Sequence, residues 1–156
     1  MSQPVVVSNS SPIIAFERLE QLELLRQLTQ TLHIPSAVRQ EVFGVRILPP
    51  WIVERPISHP TARLTLAPRL GAGESEAILL ALELAPCYLL VDDLAARRAA
   101  QSMNIPVIGT VGMLLLARQR NLLAAVKPHL DALRQAEFRI SEIIYHLALQ
   151  QVGEDV

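Results

Sequence analysis

The chain has 156 residues, 51% of them apolar and 4% aromatic, with a formal net charge of −1. That length suits one domain with a real core and is too short for two ordinary ones. The near-neutral balance removes any global basic field that would advertise nucleic acid. No apolar run approaches the roughly 18 residues that span a bilayer, and MSQPVVVSNS lacks a signal-peptide pattern. The single cysteine, Cys87, excludes an internal disulfide, so a reducing cytoplasm is the expected location, with no membrane association.

Pro4 to Ser8 (PVVVS) has the composition of a buried strand. Asn9 ends it, and Ser10-Ser11-Pro12 reads as a serine cap with proline at the first helical position. Ile13, Ile14, Phe16, Leu19, Leu22, Leu24, Leu25 and Leu28 then recur at helical spacing. Thr31 to Ile34 is a brief second strand, and Pro35-Ser36 opens a helix that carries Glu41 and closes at Gly44. From about 46 to 68, five prolines break both periods; a flap or irregular excursion is expected, with WIVERPI as an edge strand. Gly71 to Asp93 follows as turn, buried helix and buried strand, with Glu74 and Glu76 at the helix start and Asp92 and Asp93 at the strand end. LAARRAAQSM is a helix made basic on one side by Arg97 and Arg98, and IPVI is a short strand ending at Gly109-Thr110. Helices are expected over 111–119, 126–136 and 141–152, the last able to pack on the domain or on a partner. Strand and helix alternate about four times, which predicts one α/β domain over 1–156. It is a three-layer α/β/α sandwich with a mostly parallel central sheet and a C-terminal helical segment at about 126–152.

Charge is absent from the middle of the 71–93 unit and gathers at its rims. Ligands of open α/β sheets collect beyond the carboxyl ends of the strands, where Asp92 and Asp93 fall. Asn9, Glu41, Glu74, Asp92 and Asp93 are the candidate constellation, and oxygen donors of this kind suit Mg²⁺ or Mn²⁺. Such ions activate water and stabilise charge at a phosphate. Each residue also has a plainer use. Glu74 and Glu76 suit a helix N-terminus, Asp92-Asp93 an N-cap and its neighbour, Glu41 a wet helix face and Asn9 a turn. GAGESEA resembles a dinucleotide fingerprint, but Glu76 stands where the third glycine belongs and Pro68 sits just ahead of the turn. His33, His59, His129 and His146 lack zinc-like spacing, and Cys87 reads as a buried hydrophobe.

VVVSNSSPII, IPSAVRQEV, GAGESEAILLALE, YLLVDDLAARRAA and IPVIGTVGMLLLARQRNLL run in that order from residue 5 to about 123. Together they resemble the PIN-domain superfamily, and within it the VapC-like branch of short prokaryotic proteins. The resemblance implies a parallel sheet between helices and a metal-dependent endoribonuclease that holds Mg²⁺ or Mn²⁺ on an acidic cluster against an RNA phosphodiester. It also implies a toxin silenced by a co-encoded antitoxin, and a homodimer. By position, Glu41 is similar to the second acid of that cluster, Glu74 to the third and Asp92 to the fourth, with Asp93 and Glu76 as adjacent alternatives. The family's first acid, an aspartate directly after the first strand, is replaced by Asn9. An amide oxygen coordinates without charge, so a weakened site is expected. The alternative is a catalytically inactive PIN-like module that binds RNA or a partner protein. Arg97, Arg98 and Arg118 are the cations expected to meet RNA phosphates.

Overall fold

In the computed structural model, which describes residues 4–59 and 70–155, the β-branched run Val5–Ser8 forms the central strand β1. It is flanked by β2 (Leu32–Ile34) and β4 (Cys87–Leu90), with β3 (Ile52–Glu54) and β5 (Val107–Ile108) at the edges. All four pairings are parallel, in the order β3-β2-β1-β4-β5. The described residues also form α1 (Ser10–Arg18), α2 (Leu22–Thr29), α3 (Ser36–Phe43), α4 (Ala72–Leu84), α5 (Leu94–Ser102), α6 (Thr110–Gln119), α7 (Lys127–Gln135) and α8 (Glu142–Gln151). The three-layer α/β/α sandwich expected from the alternation is what forms.

Covering both sheet faces explains why β1, β4 and β5 are almost wholly apolar, with His33 and Glu54 confined to β2 and β3. Val6 and Leu90 point into one core with Ile13 and Phe16 of α1, Leu25 of α2, Leu114 of α6, Leu130 of α7 and Leu149 of α8. Val7 and Leu89 point the other way, against Ile78 and Leu80 of α4 and Ala96 and Ala100 of α5. Leu89, Ile78, Phe16 and Leu25 are fully buried, each a gain of about 1.5–3 kcal/mol from removal of apolar surface.

Some local expectations need correcting. The apolar period from Ile13 to Leu28 is not one helix. It breaks between Leu19 and Gln21, where Glu20 adopts a left-handed φ of 55° and the Gln21 N–H returns to the Phe16 carbonyl. α1 begins at Ser10 with Asn9 in the cap position, and Pro12 is the third helical residue. Its missing N–H is still one of the donors a helix start leaves free. Gly44 closes α3 as expected, at φ 56°, a conformation that suits glycine. WIVERPI yields only the three-residue edge strand β3, and Pro56 lies beyond it. The 60–68 part of the expected excursion lies outside the described residues.

From β1 the chain steps outward to β2 and β3, and from β4 the other way to β5. The reversal falls between β1 and β4, the place where a crevice opens beyond the strand ends. Ser8 and Leu90 are register partners, and the Asn9 N–H donates to the Leu90 carbonyl at 2.9 Å. Asn9 and Asp92 therefore leave neighbouring strands close together.

Candidate acidic active site

Asn9, Glu41, Glu74, Asp92 and Asp93 all line one cleft of about 1110 Å³ at that crevice. Each arrives from a different place: Asn9 from the end of β1, Glu41 from the last turn of α3, Glu74 from the first turn of α4, and the aspartates from the turn after β4.

Asp92 is the most tightly held. Its Oδ1 accepts the Thr110 N–H at 2.8 Å, and its Oδ2 accepts the hydroxyls of Thr110 at 2.7 Å and Ser11 at 3.0 Å. The starts of α1 and α6 thus clamp one carboxylate. Asp93 faces the cleft but caps α5, accepting the Ala96 N–H at 2.9 Å, which is the plainer use the sequence offered. Glu41 Oε2 accepts the Ser10 hydroxyl at 2.5 Å, and its carboxylate lies over the backbone of Gly73. Asn9 is 4% exposed, and its Oδ1 has no hydrogen-bond partner among the described residues. Glu76 does not line the cleft; its Oε1 accepts the Ala37 N–H at 3.0 Å, serving the start of α3, where Pro35 offers no side-chain cap.

Of the three arginines expected at phosphates, the cleft includes Arg97 alone. Its Nη1 donates to the Val91 carbonyl at 3.3 Å. A Cβ at Gly109 would stand 2.6 Å from that nitrogen and 3.0 Å from Asp92 Oδ1, so glycine there lets both groups close over the same backbone. Arg98 is exposed on α5 away from the cleft, and Arg118 lies about 12 Å along α6 from Thr110. There Arg118 Nε is 4.0 Å from Glu154 Oε2.

Sequence reading missed one wall. Arg18, at the end of α1, donates from Nη1 to the Ala136 carbonyl at 3.1 Å and ties α1 to the turn between α7 and α8. That turn brings Arg139, Ile140 and Ser141 to the cleft. The sequence predicts a helix following α6, but no local signal points it back to the strand ends. Thr110 was more accessible, since it follows β5 at the same edge as Asp92.

The donors can be tested for their fit to the divalent ion that the acidic cluster implies. All are hard oxygens, and a buried, unpartnered amide oxygen among carboxylates is the group a cation would satisfy. Among the described residues, however, no three His, Cys, Asp or Glu side chains gather closely enough to form a ligand group. The fit is therefore to an ion that keeps several waters and takes few protein oxygens, as Mg²⁺ does, and not to a closed protein cage. Cysteine chemistry has no support: Cys87 is buried, its Sγ lies 3.2 Å from the Ala81 carbonyl, and burial pushes its thiol pKa up, away from the reactive thiolate.

No helix among the described residues is long and apolar enough to cross a membrane. In comparisons with known proteins, no curated protein and no solved structure matches the chain. A family model described as a PIN domain, DUF3368, matches residues 5–154, almost the whole length. The parallel sheet, the crevice between β1 and β4 and the acids around it agree with that match, and the chain belongs to the DUF3368 family of PIN domains, a fold associated with nuclease-type function.

Proposed function

We propose that the protein is a metal-dependent endoribonuclease with a weakened acidic site, acting as the toxin of a toxin–antitoxin-like pair. The observation that carries this reading is the convergence of Glu41, Glu74, Asp92 and Asp93 on the cleft that also holds the unpartnered Asn9 Oδ1. A few oxygens from among Asn9, Glu41, Glu74 and Asp92, with Asp93 beside them, would hold Mg²⁺ or Mn²⁺, with waters kept in the remaining positions. The bound ion supplies water activation and charge stabilisation at the scissile phosphodiester. Thr110 and Ser11 keep Asp92 aimed into the cleft, and Ser10 does the same for Glu41. Arg97 places a fixed cation beside Asp92, suited to a non-bridging phosphate oxygen. Arg98 and Arg118, farther off, would act on longer stretches of RNA. A homodimer is supported by the solvent-facing Ile143, Ile144 and Leu147 of α8, and sedimentation against concentration tests it.

A second reading, a PIN module that binds without cutting, is favoured by the neutral Asn9 and by the hydroxyl and N–H donors already engaging both Asp92 oxygens. Calorimetric titration of Mn²⁺ and Mg²⁺ into wild type and Asp92→Ala, with RNA cleavage assayed alongside, separates the two. Binding lost in the variant together with metal-dependent cleavage by wild type supports the nuclease. Binding without cleavage supports the module, and no binding in either protein sinks the metal site.

A further inference from the structure

We infer that Gly73 is a positioning residue: together with Ser10 it forms a two-sided seat that aims the Glu41 carboxylate into the cleft. The inference rests on the reading of that cleft as a metal site for what the seat is used for, but not for its existence. Glu41 stands on an exposed face at the end of the short helix α3. A free glutamate there would sample several rotamers and lose entropy on taking up a ligand's position. Two contacts restrain it. On one side Ser10 Oγ donates to Oε2 at 2.5 Å. On the other, a Cβ built at Gly73 would lie 2.7 Å from Oε2, 2.8 Å from Oε1 and 3.0 Å from Cδ. The whole carboxylate therefore occupies the space a side chain at 73 would fill.

Gly73 is buried near the start of α4 with no left-handed φ, so its backbone does not demand glycine. Glycine inside a helix is the less stable choice compared with alanine. What its missing side chain provides is room for Glu41.

The test is Gly73→Ala, compared with Ser10→Ala, Glu41→Gln and wild type. The expected result for Gly73→Ala is an unchanged or raised Tm with Mn²⁺ affinity reduced about 10–100-fold, the loss usual when a ligand's supporting shell is disturbed. Ser10→Ala should lose affinity in the same direction. A crystal structure of metal-free Gly73→Ala should show the Glu41 carboxylate displaced and its hydrogen bond to Ser10 broken. Persistence of that hydrogen bond in the variant overturns the seat. Mn²⁺ affinity unchanged in Gly73→Ala but lost in Glu41→Gln would overturn the positioning role while leaving the metal site intact. Wild type that binds no Mn²⁺ overturns the metal-site reading instead, and the displacement of Glu41 still decides the seat.

Discussion

Asn9→Asp is the most informative single change, because it alters charge with almost no change of shape. The side chain is 4% exposed, and the oxygen that would become anionic has no donor among the described residues. The new carboxylate would also share the cleft with Glu41, Glu74, Asp92 and Asp93. Wild type already leaves that acceptor unsatisfied, so the variant adds the cost of charging it, about 1–3 kcal/mol on the scale of a buried unsatisfied polar group. At about 2–4 °C per kcal/mol for a domain of this size, the variant's Tm in chelator should fall by about 2–12 °C at pH 7. Burial and like charge raise the pKa of such a carboxyl in the folded state. The folded protein then binds the proton more readily than the unfolded chain, so the penalty shrinks as pH falls from 7 toward about 4. Mn²⁺ should stabilise the variant more than wild type and offset much of that penalty, since an ion at 100 times its Kd adds about 2.7 kcal/mol to the state that binds it. Differential scanning calorimetry of both proteins, with chelator and with Mn²⁺, reads all of this. Equal stability in chelator, or equal stabilisation of both by Mn²⁺, would refute the view of Asn9 as the neutral member of a ligand set.

Asp92→Ala removes the acceptor for three hydrogen bonds and should cost about 2–3 kcal/mol in urea unfolding. Asp92→Asn, which retains an oxygen for the Thr110 N–H, should cost less than half as much. Arg97→Ala should reduce the salt dependence of RNA binding by about one phosphate contact, with smaller effects for Arg98→Ala and Arg118→Ala, which lie off the cleft. Away from the site, the Tyr145 hydroxyl donates to Asp131 at 2.6 Å and meets Lys127 Nζ at 2.9 Å. The Tyr145 hydrogen bond, then that of Lys127, holds the Asp131 carboxyl below its ordinary value. A depressed carboxyl contributes stability above its unfolded pKa and loses it as pH falls through the folded value. Urea midpoints measured from about pH 5 to pH 2 should therefore fall less steeply for Tyr145→Phe than for wild type.

The strands and most helices were legible because their apolar runs and punctuation are local. Gly44 marked the end of α3, and Ser141 marked the start of α8, where its hydroxyl does accept the Ile144 N–H at 3.1 Å. The break between α1 and α2 was not legible, since it is made by a left-handed glutamate with neither glycine nor proline to announce it. The acids at strand ends could be named from sequence because a parallel sheet puts all such ends on one edge. The donors that hold them could not. Ser10 reaches Glu41 across 31 positions and Thr110 reaches Asp92 across 18, distances set only by sheet order. Glu76 shows the converse: it sits two residues from Glu74, yet the turn of α4 sends it to the start of α3 instead of the cleft.

These donors bear on how strongly the cleft can hold an ion. Hydrogen bonds from Ser10, Ser11 and Thr110 already engage and stabilise the Glu41 and Asp92 carboxylates without any metal. An incoming cation must share or displace that stabilisation, so part of its Coulomb gain is already spent in the folded protein. Asn9 then removes one negative charge from the same cleft, which eases repulsion among the acids and lowers the attraction for the ion together. Arg97 acts in the same direction beside Asp92. The three features predict a site that is stable when empty and modest in affinity, and returning a carboxylate at position 9 trades the first property for the second.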